Sequence, residues 1–355
     1  AKNCPVHSVN EWDPLEEVIV GSFAGAAVPH YHVAMKSVMP PSMVRILKLL
    51  PKKKIPKMLT EKASMERERF IQILKNEGVI VREPEPIDFS IEYRTPNWRS
   101  NGFCCACPRD SLLVLGDEII EPPMSWRSRY FETFGYRSLL YEYFHKGAKW
   151  SAAPKPQLSD TLFDQKYSPP DTDEPVRYIT NESEIVMDAA DVMRFGKDLL
   201  VLRSNTTNKQ GILWLQRHVG NKYRIHEMIS KYTQPMHIDD HLMPLCEGKL
   251  LINPAYVNKD QLPDFLKEWD ILEAPPPDIV TGGIIFKNED LCRLWINVNV
   301  LSLDGKKVII EESQVSTIKA LEKWGFDPIP CPFMHYINLG GVFHCATVDI
   351  RRRHT

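Results

Sequence analysis

A short phrase that recurs five times along the chain constrains its fold more than any other feature. In each copy a polar residue or a glycine precedes a run of leucine, isoleucine and valine, a pattern typical of a largely buried strand. Each copy is followed by a helical pattern and then by a second short apolar run. The copies lie at 15–21, 110–116, 196–203, 248–253 and 304–310.

The recurring phrase predicts five strand–helix–strand units. In the first unit Phe70, Ile73 and Leu74 recur at about helical spacing. Such units bury their apolar faces against their neighbours, and the irregular spacing favours a closed ring with insertions over a regular solenoid. The predicted helices cover 61–75, 126–144, 211–218, 261–269 and 313–324; the predicted second strands cover 78–82, 148–151, 223–227, 270–273 and 326–330.

Composition narrows the class of protein. The chain has 355 residues, of which 43% are hydrophobic and 25% charged, as in an ordinary globular protein. A formal net charge of −2 gives no general attraction to nucleic acid or to an anionic membrane. Eight scattered cysteines indicate a reducing compartment. We therefore expect one cytoplasmic α/β domain over residues 1–355, with neither nucleic acid nor membrane as its partner.

One cysteine near the C-terminus follows two glycines. Gly340 and Gly341 let the backbone turn tightly or approach a ligand, which is one way to present Cys345 as a nucleophile. A thiolate attacks strongly when a nearby base or cation lowers the thiol pKa from about 8.5. The alternative is a buried structural cysteine. On a strand, His344 would face away from Cys345, so the base is expected elsewhere.

The candidate base is a histidine flanked by carboxylates. If its segment is a strand, His237 and Asp239 share one face, and the carboxylate either raises the imidazole pKa or holds a cationic substrate. Metal binding is the alternative for His237, Asp239, Asp240 and His241. A strand cannot aim all four side chains at one ion, which counts against that alternative.

Three further carboxylates complete the candidate set. Asp188 and Asp191 share a face if their segment is helical, with Asp188 at the N-cap, and they offer a partner to orient the histidine. Asp110 belongs to the second copy of the strand phrase and follows Arg109, with which it can simply pair. A thiolate among carboxylates suits a planar cation such as guanidinium, which carboxylates bind bidentately.

In these residues the chain resembles the arginine amidinotransferases, over nearly its full length. The resemblance implies a five-bladed pseudo-symmetric α/β propeller, the pentein fold, with no cofactor and no metal, and a homodimer. It also implies transfer of the amidino group of L-arginine, through an amidino-cysteine, to an acceptor primary amine, with release of ornithine. The matching segments are 10–21, 108–110, 118–129, 144–156, 188–191, 235–239 and 340–345.

The resemblance assigns a role to each candidate residue. Cys345 is the expected nucleophile, His237 the general acid and base, and Asp191 the carboxylate that orients the histidine. Asp110 and Asp239 are expected to hold the guanidinium group. The remaining residues expected to bind substrate are Gln234, Met236 and Asn297.

The chain departs from the glycine-using members of that family near the acceptor. Those members carry an arginine after an Asn-Pro pair, where this chain reads Asn253-Pro254-Ala255-Tyr256 and has no arginine. Segment 295–299 also lacks their serine. We therefore expect an acceptor larger than glycine, as in saxitoxin-type or streptomycin-type pathways. The alternatives are an arginine:glycine amidinotransferase, a guanidine hydrolase similar to arginine deiminase, and a catalytically silent arginine-binding protein.

Overall fold

The computed structural model describes residues 4–39, 41–50, 52–171, 174–278, 296–337 and 341–353. Gly340 and the start of segment 295–299 lie outside these ranges. The strands are β1 (Leu15–Val20), β2 (Ile80–Arg82), β3 (Glu92–Arg94), β4 (Arg99–Asn101), β5 (Leu113–Leu115), β6 (Glu118–Glu121), β7 (Lys149–Ala152), β8 (Val192–Phe195), β9 (Asp198–Arg203), β10 (Arg224–Ile229), β11 (Leu242–Cys246), β12 (Lys249–Ile252), β13 (Asp270–Glu273), β14 (Leu301–Ser302), β15 (Lys307–Glu311), β16 (Asp327–Cys331) and β17 (Thr347–Arg352).

The α-helices lie between these strands, and short 3-10 turns carry much of the remaining chain. The helices are α1 (Pro41–Leu49), α2 (Lys57–Asn76), α3 (Pro108–Ser111), α4 (Arg137–His145), α5 (Lys209–Val219), α6 (Val315–Lys323) and α7 (Met334–Ile337). Two of the 3-10 turns, Ala189–Asp191 and Ile238–Asp240, lie in the segments that the sequence analysis singled out. No helix in the described ranges is long and apolar enough to cross a membrane.

Five three-stranded sheets share one pattern, in which a middle strand pairs antiparallel on one side and parallel on the other. Strand β1 pairs antiparallel with β17 and parallel with β2, so the last strand completes the first sheet. The parallel partner is the strand that returns after the helical segment. The other four sheets are β5-β6-β7, β8-β9-β10, β11-β12-β13 and β14-β15-β16.

The predicted second strands are confirmed, because β2, β7, β10, β13 and β16 occupy those positions. Helices α2, α5 and α6 confirm three of the five predicted helices. The predicted helix over 261–269 is wrong. Two 3-10 turns, Lys259–Gln261 and Asp264–Leu266, replace it, because Pro263 lacks the N–H that a helix interior needs.

Two further expectations need correction. The helix predicted over 126–144 forms only as α4, after 3-10 turns at Arg127–Arg129 and Glu132–Tyr136. The expected strand start at Asp110 is also wrong, because Asp110 lies in α3. Pro108 takes the first position of that helix, where a missing N–H costs nothing.

The segment that carries Cys345 packs into the core of the first sheet. Phe343 stacks on Phe333 with ring centroids 4.4 Å apart and lies 5.1 Å from the ring of Phe70 on α2. Cys345 and Val342 belong to the same buried cluster. This packing fixes the approach of the chain to the cysteine before β17 begins.

Candidate active site

Three side chains from distant segments meet in one buried place. Asp110 comes from α3, His237 from the residue before the turn Ile238–Asp240, and Cys345 from the turn before β17. One polar atom of each lies within 4.8 Å of the other two, and all three side chains are buried. The sequence analysis selected these three residues, and the fold brings them together.

Cys345 lies in a turn, and Ala346 separates it from the start of β17. The expectation of a strand at Cys345 is therefore wrong. The backbone N–H of Ala346 donates to the carbonyl of Val342 at 2.8 Å and closes this turn. A Cβ at Gly341 would lie 2.5 Å from the Cβ of Cys345, so this position requires glycine. In this turn His344 does not face away from Cys345, because both side chains hydrogen-bond to Asp239 Oδ2.

The Cys345 thiol lies among carboxylates. It donates to Asp239 Oδ2 at 3.1 Å, and Asn299 Nδ2 donates to its sulfur at 3.1 Å. Burial raises the pKa of the thiol well above its usual range, and the charges of Asp239 and Asp110 add to that effect. Burial and these charges therefore favour the protonated thiol over the thiolate.

His237 has a backbone conformation that residues with a side chain rarely adopt, with φ 55° and ψ 127°. It is not on a strand with Asp239. Its Nε2–H donates to Asp188 Oδ2 at 3.1 Å, and its Nδ1 lies 3.6 Å from Asp110 Oδ1. Burial alone would lower the imidazole pKa, but the charge of Asp110 and, after it, the hydrogen bond and charge of Asp188 raise this pKa to about 10. The ring is therefore an imidazolium at neutral pH.

The carboxylate that hydrogen-bonds to His237 is Asp188, and not Asp191 as expected. Asp191 Oδ2 instead accepts hydrogen bonds from the hydroxyls of Ser204 at 2.6 Å and Thr207 at 2.5 Å. Burial raises the pKa of Asp191 to about 6. The three-residue spacing indicated that both carboxylates share a face, but the spacing alone does not say which one meets the imidazole.

Asp110 pairs with Arg129 and not with its neighbour Arg109. Arg129 Nη1 donates to Asp110 Oδ2 at 2.6 Å, while its Nε and Nη2 bind the Glu132 carboxylate at 2.7 and 2.6 Å. Burial raises the pKa of Asp110. Sequence reasoning gave Arg129 and Glu132 no role, although Arg129 ends one of the segments that carry the family resemblance.

Asp239 is held by a second histidine, which sequence reasoning also missed. His344 Nδ1–H donates to Asp239 Oδ2 at 2.8 Å, and His344 Nε2 lies 3.2 Å from Glu11 Oε2. Although burial acts in the opposite direction, this hydrogen bond lowers the pKa of Asp239. The neighbouring Asp240 has its pKa raised to about 8, by burial and by the charge of Asp239.

Four of these carboxylates form what we call the carboxylate cage: Asp110, Asp188, Asp191 and Asp239. In each of them one oxygen is buried without a hydrogen-bond donor from the described residues. Buried polar atoms are normally paired, and two of these carboxylates, Asp110 and Asp239, lie beside the thiol, so the set indicates a site for a cation with several N–H donors.

The structure also bears on metal binding. The alternative metal-binding set was His237, Asp239, Asp240 and His241. It is wrong, because both ring nitrogens of His241 are hydrogen-bonded, to the His237 carbonyl at 2.9 Å and to Ser230 Oγ at 2.8 Å. Asp110, His237 and Cys345 are close enough to share one ion. The absence of a metal from the reaction stays a prediction.

The other residues expected to bind substrate lie in different surroundings. Gln234 is partly buried, and Met236 packs against the aromatic cluster that includes Trp126 and Phe163. Asn297 is fully buried and donates to Thr317 Oγ1 at 2.8 Å and to the Pro275 carbonyl at 2.9 Å. Their roles in substrate binding stay predictions.

Comparison with known proteins places the chain among related enzymes, although no family model matches it. It is 45% identical to the L-arginine:L-lysine amidinotransferase of Pseudomonas savastanoi pv. phaseolicola, over 98% of this chain and 95% of that protein. The chain belongs to the amidinotransferase family. A second member, the mitochondrial glycine amidinotransferase of Gallus gallus, is 42% identical over all of this chain and 84% of its own length.

Solved structures of amidinotransferases match the same length of chain. SxtG, an amidinotransferase of the saxitoxin pathway from Microseira wollei, gives a TM-score of 0.92 at 46% identity and covers 99% of both chains. The inosamine-phosphate amidinotransferase StrB1 from Streptomyces griseus gives 0.88 at 38% identity, over 99% of this chain and 97% of its own. A dimethylarginine dimethylaminohydrolase, at 0.55 and 14% identity over 94% and 99%, shares the fold alone. These neighbours agree with the expected pentein fold.

Proposed function

We propose that this amidinotransferase moves the amidino group of L-arginine, through a covalent intermediate on Cys345, to an acceptor primary amine. The carboxylate cage carries this proposal. A guanidinium group offers five N–H donors in one plane and one positive charge. These suit the carboxylates of Asp110 and Asp239 beside the thiol, each of which has one oxygen without a hydrogen bond from the described residues. The named activities of the relatives support arginine as the donor.

In the first half of the reaction, arginine enters the cage and Asp110 and Asp239 bind its guanidinium. The positive charge offsets the carboxylates that hold the thiol pKa high, so Cys345 releases its proton to solvent as arginine binds, and the thiolate attacks the guanidinium carbon. His237, an imidazolium at neutral pH, gives its proton to the departing amine. Ornithine leaves, and the amidino group stays on the sulfur.

In the second half, the acceptor amine occupies the space that ornithine leaves. The neutral His237 takes a proton from this amine as its nitrogen attacks the amidino carbon, and the Cys345 thiolate is the leaving group. Water must be kept from the intermediate, because its hydrolysis would give citrulline. The burial of Cys345 and Asp239 favours transfer over hydrolysis.

Asp188 takes the orienting role that the sequence assigned to Asp191. Its hydrogen bond to Nε2 leaves Nδ1 of His237 on the side of Asp110, where the substrate nitrogen would lie. Asp191 adds negative charge at a longer distance and helps to keep the imidazole protonated.

The acceptor is an amine larger than glycine, in secondary metabolism of the saxitoxin type. Ala255 is exposed and brings no charge to the end of β12, where the Asn253 amide donates to the carbonyl of Asp240. A glycine carboxylate would therefore find no guanidinium at this position. Likeness to the lysine-using relative and to SxtG supports this choice, and arginine:glycine transfer is the alternative.

We also propose a five-bladed ring, a single domain, a homodimer and a cytoplasmic location for this protein. The five sheets with one topology, and the pairing of β17 with β1, support a closed five-bladed ring formed by a single domain over residues 1–355. We expect a homodimer in the cytoplasm. Size-exclusion chromatography with light scattering tests the dimer, and a monomer at micromolar concentration would contradict it.

Intact-protein mass spectrometry after mixing with arginine tests the reaction, with glycine, lysine and longer diamines as acceptors and with ornithine and citrulline assayed. We expect an amidino-sized mass increase that is absent in Cys345→Ser, and ornithine release that rises most with a longer amine. Citrulline without any amine would indicate a hydrolase. Retained turnover in Cys345→Ser would place the nucleophile elsewhere, and equal or better turnover with glycine would reject the larger acceptor.

A further inference from the structure

Asn299 lies beside the turn of the nucleophile, and its side chain makes four hydrogen bonds there. Its Oδ1 accepts from the backbone N–H of His344 at 3.1 Å and of Cys345 at 3.3 Å. Its Nδ2 donates to Asp240 Oδ1 at 3.0 Å and to Cys345 Sγ at 3.1 Å. A primary amide has two donors and two acceptor sites, so this fully buried side chain is fully used.

The bond from Asn299 to sulfur differs in kind from the other contacts of the thiol. Asp239 accepts a hydrogen bond from the thiol and therefore favours the protonated form. Asn299 donates through Nδ2–H, and a donor that points at a group stabilises its anion. Asn299 thus offsets some of the repulsion that the carboxylates exert on the thiolate.

The two bonds from backbone to Asn299 Oδ1 act on geometry. They come from consecutive residues, His344 and Cys345, and so hold two successive peptide groups of the turn against one oxygen atom. Together with the close packing of Gly341 on Cys345, they leave the sulfur little freedom of position. A fixed nucleophile reacts faster, because less ordering is needed in the transition state.

We propose that Asn299 is a positioning residue for Cys345, which fixes the turn through Oδ1 and stabilises the thiolate through Nδ2–H. This inference rests on the proposed role of Cys345 as the nucleophile. Asn299 acts through the cysteine and is not assigned a contact with substrate.

The test is the pH profile of alkylation at Cys345 by iodoacetamide, followed by peptide mass spectrometry so that the other cysteines do not interfere. Asn299→Asp keeps an acceptor at Oδ1 but places a carboxylate oxygen against the sulfur. We expect the profile to move to higher pH by about one unit, which lowers the alkylation rate at neutral pH about ten-fold. The kcat/KM for arginine should fall in parallel.

A matched control lies at the start of α5. Asn208 is also fully buried and makes four hydrogen bonds: Oδ1 accepts from the backbone N–H of Val186 and Gly211, and Nδ2 donates to the carbonyls of Asn181 and Glu184. Asn208→Asp makes the same chemical change without touching the thiol. We expect it to lower the thermal midpoint and to leave the alkylation profile of Cys345 unchanged.

If Asn299→Asp behaves like Asn208→Asp, with an unchanged profile, the inference is overturned. Circular dichroism reports whether Asn299→Asp folds; if it does not, Asn299→Ser decides, because it removes the amide donor without adding charge and should shift the profile in the same direction. Cys345→Ser separates the two proposals. Turnover retained in that variant rejects the nucleophile, whereas an inactive Cys345→Ser with a normal Asn299→Asp rejects only the role of Asn299.

Discussion

Two buried groups of charges lie on either side of His344, and they differ in how completely they are paired. We call the first group the arginine network; it consists of Glu11, Arg109, Arg194, Asp349 and Arg352. Arg194 binds both oxygens of Glu11 at 2.6 Å and one oxygen of Asp349 at 2.6 Å. Arg109 and Arg352 complete the contacts of Asp349, at 2.7 and 2.8 Å. In the carboxylate cage, each of the four carboxylates keeps one oxygen that accepts no hydrogen bond from the part of the chain that the structure describes.

The pKa values of the carboxyl groups also differ between the arginine network and the carboxylate cage. Despite burial, Arg194 holds the pKa of Glu11 well below its usual range. In the cage, burial raises the pKa of Asp110, and it raises that of Asp191 to about 6. Removing one partner from a fully hydrogen-bonded buried charge group is strongly destabilising, whereas buried carboxylates that lack hydrogen bonds are expected where a cationic ligand binds.

The largest expected effect comes from unbalancing the arginine network. Arg194→Met removes the nearest guanidinium of Glu11 and one of the three that contact Asp349, and although Arg109 still contacts both carboxylates, the loss should lower the free energy of unfolding by about 3–5 kcal/mol. Urea unfolding measures this change. Arg224→Met is the control, because that side chain is 66% exposed in its pair with Asp198, and an exposed pair contributes less than about 1 kcal/mol. A similar small loss in both variants would contradict the comparison.

In the cage, removing a charge should harm activity more than stability. Asp188→Asn removes the negative charge of the group that accepts the His237 Nε2–H bond, and we expect kcat/KM to fall at least about 100-fold, the usual lower range for disturbed acid–base catalysis. The free energy of unfolding should decrease less than in Arg194→Met. Asp191→Asn is the matched control and should cost less activity, because Asp191 does not bond to the imidazole. The reverse order would return the orienting role to Asp191.

The sequence predicted the fold well where a pattern is local. The second strands follow from apolar runs between turn residues, and α2 follows from its helical spacing. The helix predicted across Pro263 failed because one residue overrode the pattern of its neighbours. The antiparallel outer strands such as β8 and β14 were missed, because they are short and are defined by pairing partners rather than by their own composition.

For the site, the sequence supplied candidate residue types but not partners. Cys345, His237 and Asp110 were selected and do meet. Asp188 and Asp191 could not be told apart without the backbone, which turns only Asp188 toward the imidazole. His344 was set aside on the assumption of a strand, which the turn before β17 invalidates. Residue identity limits the chemistry, but the local backbone decides which atoms touch.

A smaller effect concerns pH. The pKa of His237 is raised to about 10 in the folded protein, from an ordinary value of 6.5. Its contribution to stability is therefore fully present below about pH 6.5 and is lost as the pH rises through about 10, with a slope of at most about 1.4 kcal/mol per pH unit for one proton. The free energy of unfolding in urea, measured from pH 6 to 10 in the native protein and in His237→Gln, gives the contribution of this proton by difference. Equal slopes in the two proteins would contradict the raised pKa.

The smallest expected effect extends the comparison to the exposed end of β12. The cage keeps four carboxylate oxygens without a hydrogen bond from the described residues for a cationic substrate, but an acceptor with a carboxylate needs a cation from the protein, and Ala255 supplies none. Ala255→Arg should raise kcat/KM for glycine relative to a diamine, which has no carboxylate, by up to about five-fold, since a pair at an exposed position contributes about 1 kcal/mol or less. Ala255→Gln, which is polar but uncharged, should not. An equal gain in both variants would mean that charge at this position does not select the acceptor.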